Sequence, residues 1–277
     1  MLLDDSYQAV PGGYGQADAV LSALRTDGAD RYWQVGLSLR GRTSPALPEA
    51  DSRQAELVVE HGRVLPVAGG VPVHVAAAAA GLESGLSDYA TGTLVVGFDP
   101  RWAPGCDSRV SLEAQWRRYS NDPVLSGRYS GVAVSSACLT VLDYRASAGQ
   151  DLWSARVGID VPDSPERPGG RQLQAQLRWA TNQPLARWLP AWNGFLWLDT
   201  DFSLQRDASG YSPIIESGRP RNIWRASFRF ELRVPWIDRF GVVFEPASGL
   251  DVVAQRSNIP LFDLNSVGPY VALRARW

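Results

Sequence analysis

The sequence predicts an all-β fold: a closed antiparallel transmembrane β-barrel of about twelve strands, within a range of ten to fourteen, preceded by a short N-terminal helix. Three observations predict it. Apolar and polar residues alternate over repeated stretches almost to the C-terminus, the pattern of a strand with two unlike faces. The polar faces gather Arg, Gln, Glu and Asp while the apolar faces carry almost no charge, an arrangement suited to lipid on one side and a wet interior on the other. Tryptophans fall at the ends of the alternating stretches, as an interfacial aromatic girdle requires.

Composition narrows the alternatives. All 27 basic residues are Arg, and 29 acids bring the net charge to -2, so no broad basic surface for nucleic acid exists. No apolar run reaches the roughly 20 residues of a membrane-spanning helix. Met1 to Asp5 lacks the features of a signal peptide, so the chain is expected to be either cytoplasmic or part of a longer exported protein. The single Met and the 11 Trp favour the second.

Taken in order, residues 1–28 read as an N-terminal periplasmic segment. Within it, Gly15 to Asp27 suits a short amphipathic helix with Ala17, Val20, Leu21 and Leu24 on one side and Gly28 as its stop. That helix is either part of a mobile leader or the end of a helical domain. Residues 29–277 read as the barrel.

Its strands begin with Trp33 to Arg40 and the weaker Gln54 to Glu60, Val71 to Ala80 and Ala90 to Phe98. Arg109 to Arg117 sets Val110, Leu112, Ala114 and Trp116 against Arg109, Glu113 and Arg117. Arg128 to Thr140 is Ser- and Ala-rich. Ser154 to Val161 opposes Val157 and Ile159 to Arg156 and Asp160, and Gln172 to Trp179 opposes Leu173 and Leu177 to Gln174 and Arg178. Leu196 to Leu204 carries Asp199 and Asp201 on its polar face. Arg221 to Val234 is the clearest, with Trp224, Phe228 and Phe230 against Arg225, Arg229, Glu231 and Arg233. Phe240 to Ala254 and a last strand carrying Arg274 and Arg276 complete the set.

The expected girdle is Trp33, Trp116, Trp153, Trp179, Trp224 and Trp277. Long links rich in Pro, Gly and acids, including Gly41 to Ser52 and Arg206 to Pro220, are assigned to the outside, and tight links such as Pro66 to Gly70 to the periplasm; Asp99 to Ser108 and Thr181 to Asn193 are long for periplasmic turns.

Cys106 and Cys138 are the only cysteines, and folding their two strands about a loop near Asp122 brings them opposite each other, which predicts a cross-strand disulfide in an oxidising compartment. Two Cys and two separated His give no metal-binding pattern, and no cofactor is implied.

The segment Arg256-Ser257-Asn258-Ile259-Pro260-Leu261-Phe262, followed by an alternating strand with an aromatic end, resembles the final hairpin of Gram-negative outer-membrane barrels. More narrowly it resembles the closing hairpin of surface lipoprotein assembly modifiers, and similar barrels follow tetratricopeptide repeats in exopolysaccharide exporters and a phage adsorption protein. The resemblance implies periplasmic termini, outer-membrane lipid around the strands, recognition of the terminal strand by the barrel assembly machinery, and a lipoprotein or polysaccharide cargo.

Catalysis is not expected. The His-x-Ser-Asn-Gly motif of the outer-membrane phospholipase is absent, since His61 precedes Gly62 and His74 precedes Val75, and acyl transfer then lacks a general base. Asp199 and Asp201 resemble the paired acids of outer-membrane proteases but more simply meet Arg225, Arg229 and Arg233 of the next strand. The lumen-lining set is Arg109, Glu113, Arg117, Arg156, Asp160, Arg178, Asp199, Asp201, Arg225, Arg229, Glu231, Arg233, Arg274 and Arg276, together with Arg40. These residues either cross-brace a filled interior or create a field that selects anions. The expected role is export or surface presentation of a macromolecule; the alternatives are a small-solute porin or a structural or receptor barrel, and then an enzyme acting on lipid.

Overall fold

The computed structural model describes residues 15–28, 30–43, 51–66, 70–84, 88–100, 106–120, 127–141, 149–164, 169–189, 191, 193–210, 218–234 and 243–276. They form strands β1 (Gly15–Thr26), β2 (Arg31–Thr43), β3 (Ser52–Leu65), β4 (Val71–Ser84), β5 (Asp88–Phe98), β6 (Asp107–Ser120) and β7 (Gly127–Val141). The series continues with β8 (Gln150–Pro162), β9 (Gln172–Pro184), β10 (Phe195–Gly210), β11 (Pro220–Arg233), β12 (Val243–Ser257) and β13 (Leu264–Arg276). The only helical turns among the described residues are the three-residue segments Leu185–Arg187 and Pro260–Phe262.

All thirteen strands belong to one antiparallel sheet in which every strand pairs with its sequence neighbours. The expected closed barrel of twelve strands with a leading helix is therefore corrected on three counts. Segment Gly15–Thr26 is strand β1, paired residue for residue with β2 from Gly15↔Thr43 to Thr26↔Tyr32. Pairing decides against the helix because it sets Ala17, Ala19, Leu21 and Ala23 on one face beside Gly41, Leu39, Leu37 and Val35, an apolar ladder the helical reading could not supply. Gly28, at φ 75°, makes the tight return that a side chain would strain. Finally, β1 and β13 each pair on one side only among the described residues, so the sheet is open. Thirteen is odd: in an alternating series the first and last strands point the same way, and no antiparallel ladder can join them.

The twelve sequence-derived segments correspond to β2 through β13 and lengthen to 11–16 residues, beyond the usual five or six of soluble strands. Their two faces are unlike. Leu112 is 58% exposed and Val134 55%, whereas Asp160 and Glu231 on the other face are each 1% exposed. No second layer lies over the polar face among the described residues, so these carboxylates are sheltered by their own sheet. A flat sheet would leave both faces equally wet; the burial requires the sheet to curl with its polar face concave. Arg109 on β6 confirms the curl by reaching Glu60 on β3, 3.4 Å away, although the strands are three ladders apart, some 14 Å in a flat sheet.

The clusters of buried apolar side chains among the described residues are small. Tyr89 and Tyr129 pack with Leu82, and Ile259 and Phe262 pack with Ile223. Both lie at the end of the sheet where β1 begins.

Candidate functional site

The concave face is built by alternation, which in each strand turns the polar set the same way. Arg109, Glu113, Arg117, Arg156, Asp160, Arg178, Asp199, Asp201, Arg225, Arg229, Glu231 and Arg233 all occupy register positions on this face. Arg274 pairs with Glu245 and Arg276 with Val243 in the same register, and their side chains lie outside the described residues. Arg40 occupies the equivalent position in β2, opposite Asp18 and Gln54.

Most of the arginines are spent on carboxylates. Arg178 makes a two-pronged contact with Asp199, 2.9 Å from Nε to Oδ1 and 2.6 Å from Nη2 to Oδ2. Arg229 does the same to Asp251, at 2.6 and 3.2 Å. Arg156 Nε donates to Glu113 Oε2 at 2.9 Å across β7. Arg233 pairs with Glu231, lying 4.7 Å over the Trp197 ring, and Arg117 pairs with Asp160. Forked guanidinium–carboxylate pairs are geometrically specific and rigid. The acids thus meet partners other than those expected: Asp199 takes Arg178 of the preceding strand, and Asp201 accepts from Gln176.

Sequence reasoning missed what lets side chains meet across an intervening strand. In three rows a glycine stands between two polar residues of the flanking strands that bond to each other across it. The rows are His74–Gly97–Ser111, Gln115–Gly131–Asp160 and Glu231–Gly249–Tyr270. Over each glycine the outer pair joins: His74 Nε2 and Ser111 Oγ at 3.3 Å, Gln115 Nε2 donating to Asp160 Oδ1 at 3.2 Å, and Tyr270 Oη donating to Glu231 Oε2 at 2.6 Å. A Cβ at Gly97 would overlap the His74 ring, one at Gly131 the Asp160 carboxylate, and one at Gly249 the Tyr270 ring. The readable signal was a glycine in the polar register of a strand.

Two further features sit on this face. Asp207 and Arg221, both buried, pair at 3.0 Å, and Phe262 of the Pro260–Phe262 turn lies 4.7 Å from the guanidinium. Gln255 Nε2 holds the Phe262 carbonyl at 2.7 Å, and Asn258 Nδ2 holds that of Pro220 at 2.8 Å, so the turn is tied over this end of the trough. By contrast, Arg225 forms no ion pair among the described residues. It borders a cavity of about 20 Å³ with Gln174, Ser203, Gln205 and Gln255, room for one water.

On the convex face Trp33, Trp116, Trp153 and Trp224 stand toward strand ends among the aliphatic side chains, whereas Trp179, expected at a strand end, falls at mid-strand because β9 runs on to Pro184. Trp153 and Trp179 face each other with ring centroids 5.7 Å apart, and Trp33 stacks on His61 at 4.3 Å. Trp277 lies outside the described residues. Cys106 and Cys138 are joined in a disulfide with Cα atoms 5.6 Å apart. No family model and no curated protein matches this chain.

Proposed function

We propose that the chain is the lipid-embedded part of a Gram-negative outer-membrane protein, and that it presents or passes a macromolecule, lipoprotein or polysaccharide, along its polar concave face. The observation that carries this reading is the inversion of the two faces: aliphatic side chains exposed, while the carboxylates of Asp160, Asp207 and Glu231 and the guanidiniums of Arg117 and Arg221 are buried. Water would reverse that arrangement, and hydrocarbon favours it. Dimensions agree. On the convex face of β3, Ala55, Leu57, Val59 and His61 lie between Arg53 and Arg63. Ten residues at about 3.3 Å each, tilted near 40°, span about 25 Å, the height of an outer-membrane apolar band. The reading also requires partners for the free sides of β1 and β13, whose backbone groups hydrocarbon cannot satisfy.

The dense pairing of the arginines favours a second reading within the same membrane setting, a braced structural or receptor domain, over an anion-selective pore. Purified chain mixed with vesicles of mid-chain-brominated phosphatidylcholine tests the membrane setting. Quenching of tryptophan emission is expected; a monodisperse, detergent-free protein that ignores the vesicles overturns it. A photoreactive residue at position 225 tests the cargo. Adducts with lipoprotein or polysaccharide in cells support passage, and their absence, with lipid adducts retained from a convex-face control at position 132, favours the braced domain.

A further inference from the structure

No histidine has a serine beside it in the sequence, but the sheet makes the pair in space. His74 of β4 and Ser111 of β6 flank Gly97 of β5 in one row of the concave face, and with no side chain between them His74 Nε2 lies 3.3 Å from Ser111 Oγ. Strands two ladders apart stand about 10 Å from each other, so the meeting depends on the glycine. At the other ring nitrogen, His74 Nδ1 is buried, has no hydrogen-bond partner among the described residues, and lies 3.7 Å from Asp99 Oδ1. Asp99 is itself fixed twice. Its backbone N–H donates to the Pro72 carbonyl at 2.9 Å, and its carboxylate accepts from Arg109 Nε at 3.1 Å.

Charge decides which ring nitrogen carries the proton. The tautomer protonated at Nε2 would aim the Nδ1 lone pair at a carboxylate; protonation at Nδ1 turns the N–H toward Asp99 and leaves Nε2 to accept from the Ser111 hydroxyl. Serine, imidazole and carboxylate then stand in the order that activates a serine nucleophile. Contacts in such groups are often long until a substrate closes on them, which suits the 3.3 and 3.7 Å found here. The far side of the His74 ring is closed off, where Tyr32 overlies Gly62. Ser111 is 6% exposed; beside it the row continues to Ser135, with Ala133 and Ala137 next along β7, so the side from which a substrate must come is floored by short side chains.

We propose that Ser111, His74 and Asp99 form an esterase site on the concave face, acting on a short-chain carboxylic ester carried by a polar molecule. Ser111 Oγ adds to the carbonyl carbon while its proton passes to His74 Nε2. The bond to the alcohol oxygen breaks, and His74 returns the proton to that oxygen as the alcohol leaves. Water, deprotonated by the same imidazole, then attacks the acyl-serine and releases the carboxylic acid, restoring Ser111. Arg109, two residues along the same face of β6 and 40% exposed at its side chain, supplies a cation beside the carbonyl oxygen as that oxygen gains charge. The polar setting, with Glu60, Arg109, Glu113 and Arg156 around the serine, favours a polar carrier over a long-chain lipid. The proposal does not depend on what surrounds the convex face.

In the test, the full chain folded in detergent is incubated with a fluorophosphonate, whose phosphorus an activated serine attacks with loss of fluoride, and the labelled peptide is identified by mass spectrometry. Labelling at Ser111 is expected, at a rate lowered roughly 100-fold or more in His74→Gln, the scale of a lost general base. Asp99→Asn, at a side chain 32% exposed, should slow it by about ten-fold or more, since the carboxylate no longer sets the tautomer. Circular dichroism confirms that both variants keep the sheet. Hydrolysis of p-nitrophenyl acetate should accompany the labelling and vanish in Ser111→Ala. A folded, unmodified chain in which Ser111 stays unlabelled overturns the proposal, as does Asp99→Asn reacting at the unmodified rate. Faster turnover of p-nitrophenyl palmitate than of the acetate overturns the short-chain assignment.

Discussion

His74 Nε2 lies 3.3 Å from Ser111 Oγ although strand β5 runs between them, because the residue beneath their contact is Gly97. A methyl group there would overlap the imidazole. Gly97→Ala should therefore cost about 1–3 kcal/mol, the usual penalty of overpacking. Gly131→Ala should cost at least as much, since its Cβ meets the Asp160 carboxylate and also the Ile159 carbonyl at 3.0 Å. Urea unfolding followed by tryptophan emission measures both; a change under about 0.5 kcal/mol, typical of featureless surface sites, contradicts the account.

Asp160 takes Gln115, Gln174 and Arg117 at once, with Gln174 Nε2 at 2.7 Å. Asp160→Ala strips the buried Arg117 of its carboxylate and should destabilise by about 3–5 kcal/mol. Arg225→Ala, which breaks no ion pair among the described residues, should cost less than about 1 kcal/mol. Comparing the two midpoints separates bracing arginines from one left available.

Leu112, on the convex face, distinguishes water from hydrocarbon as its surroundings. Leu112→Arg should cost about 2–4 kcal/mol when the protein unfolds from lipid, as a cation near the bilayer midplane does. In aqueous solvent the same change at an exposed strand position is worth about 0.5 kcal/mol or less.

The Cys106–Cys138 disulfide closes a sequence separation of 32 residues. Loop-closure entropy puts its contribution near 3–4 kcal/mol. Cys106→Ala/Cys138→Ala should lower stability by that amount in non-reducing conditions, and added thiol should then make no further difference. An unmodified chain whose stability added thiol leaves unchanged contradicts the assignment.

Much of the fold could be read directly because the period is two and the contrast between faces is high. Arg221 to Val234 announces β11, and the same logic set Arg156 with Asp160 and Arg229 with Glu231 on one face. The cysteine pair was legible, but not its register: Cys138 stands opposite Ser108, and Cys106, just before β6, meets it diagonally. The first strand was hidden because Ala17, Ala19 and Ala23 give little contrast, and Val20 and Leu24 happen to fit a helical stripe; only pairing with β2 decides. Closure could not be judged without that strand, since one more member changes the parity of the series. Which acid meets which arginine was also out of reach. Asp199 has Arg229 directly opposite in register yet bonds Arg178 diagonally, because Arg229 is held by Asp251. The glycine rows depend on three strands at once, and no single strand's pattern reveals them.

Every ladder in this sheet joins strands adjacent in the chain, and the farthest-reaching ion pair among the described residues, Arg109 to Glu60, crosses only three of them. Assembly can accordingly advance like a zip, each new hairpin locking onto the last and needing no distant segment to arrive first. Its cost falls at the growing margin, where the leading strand carries unmet amides until its successor docks.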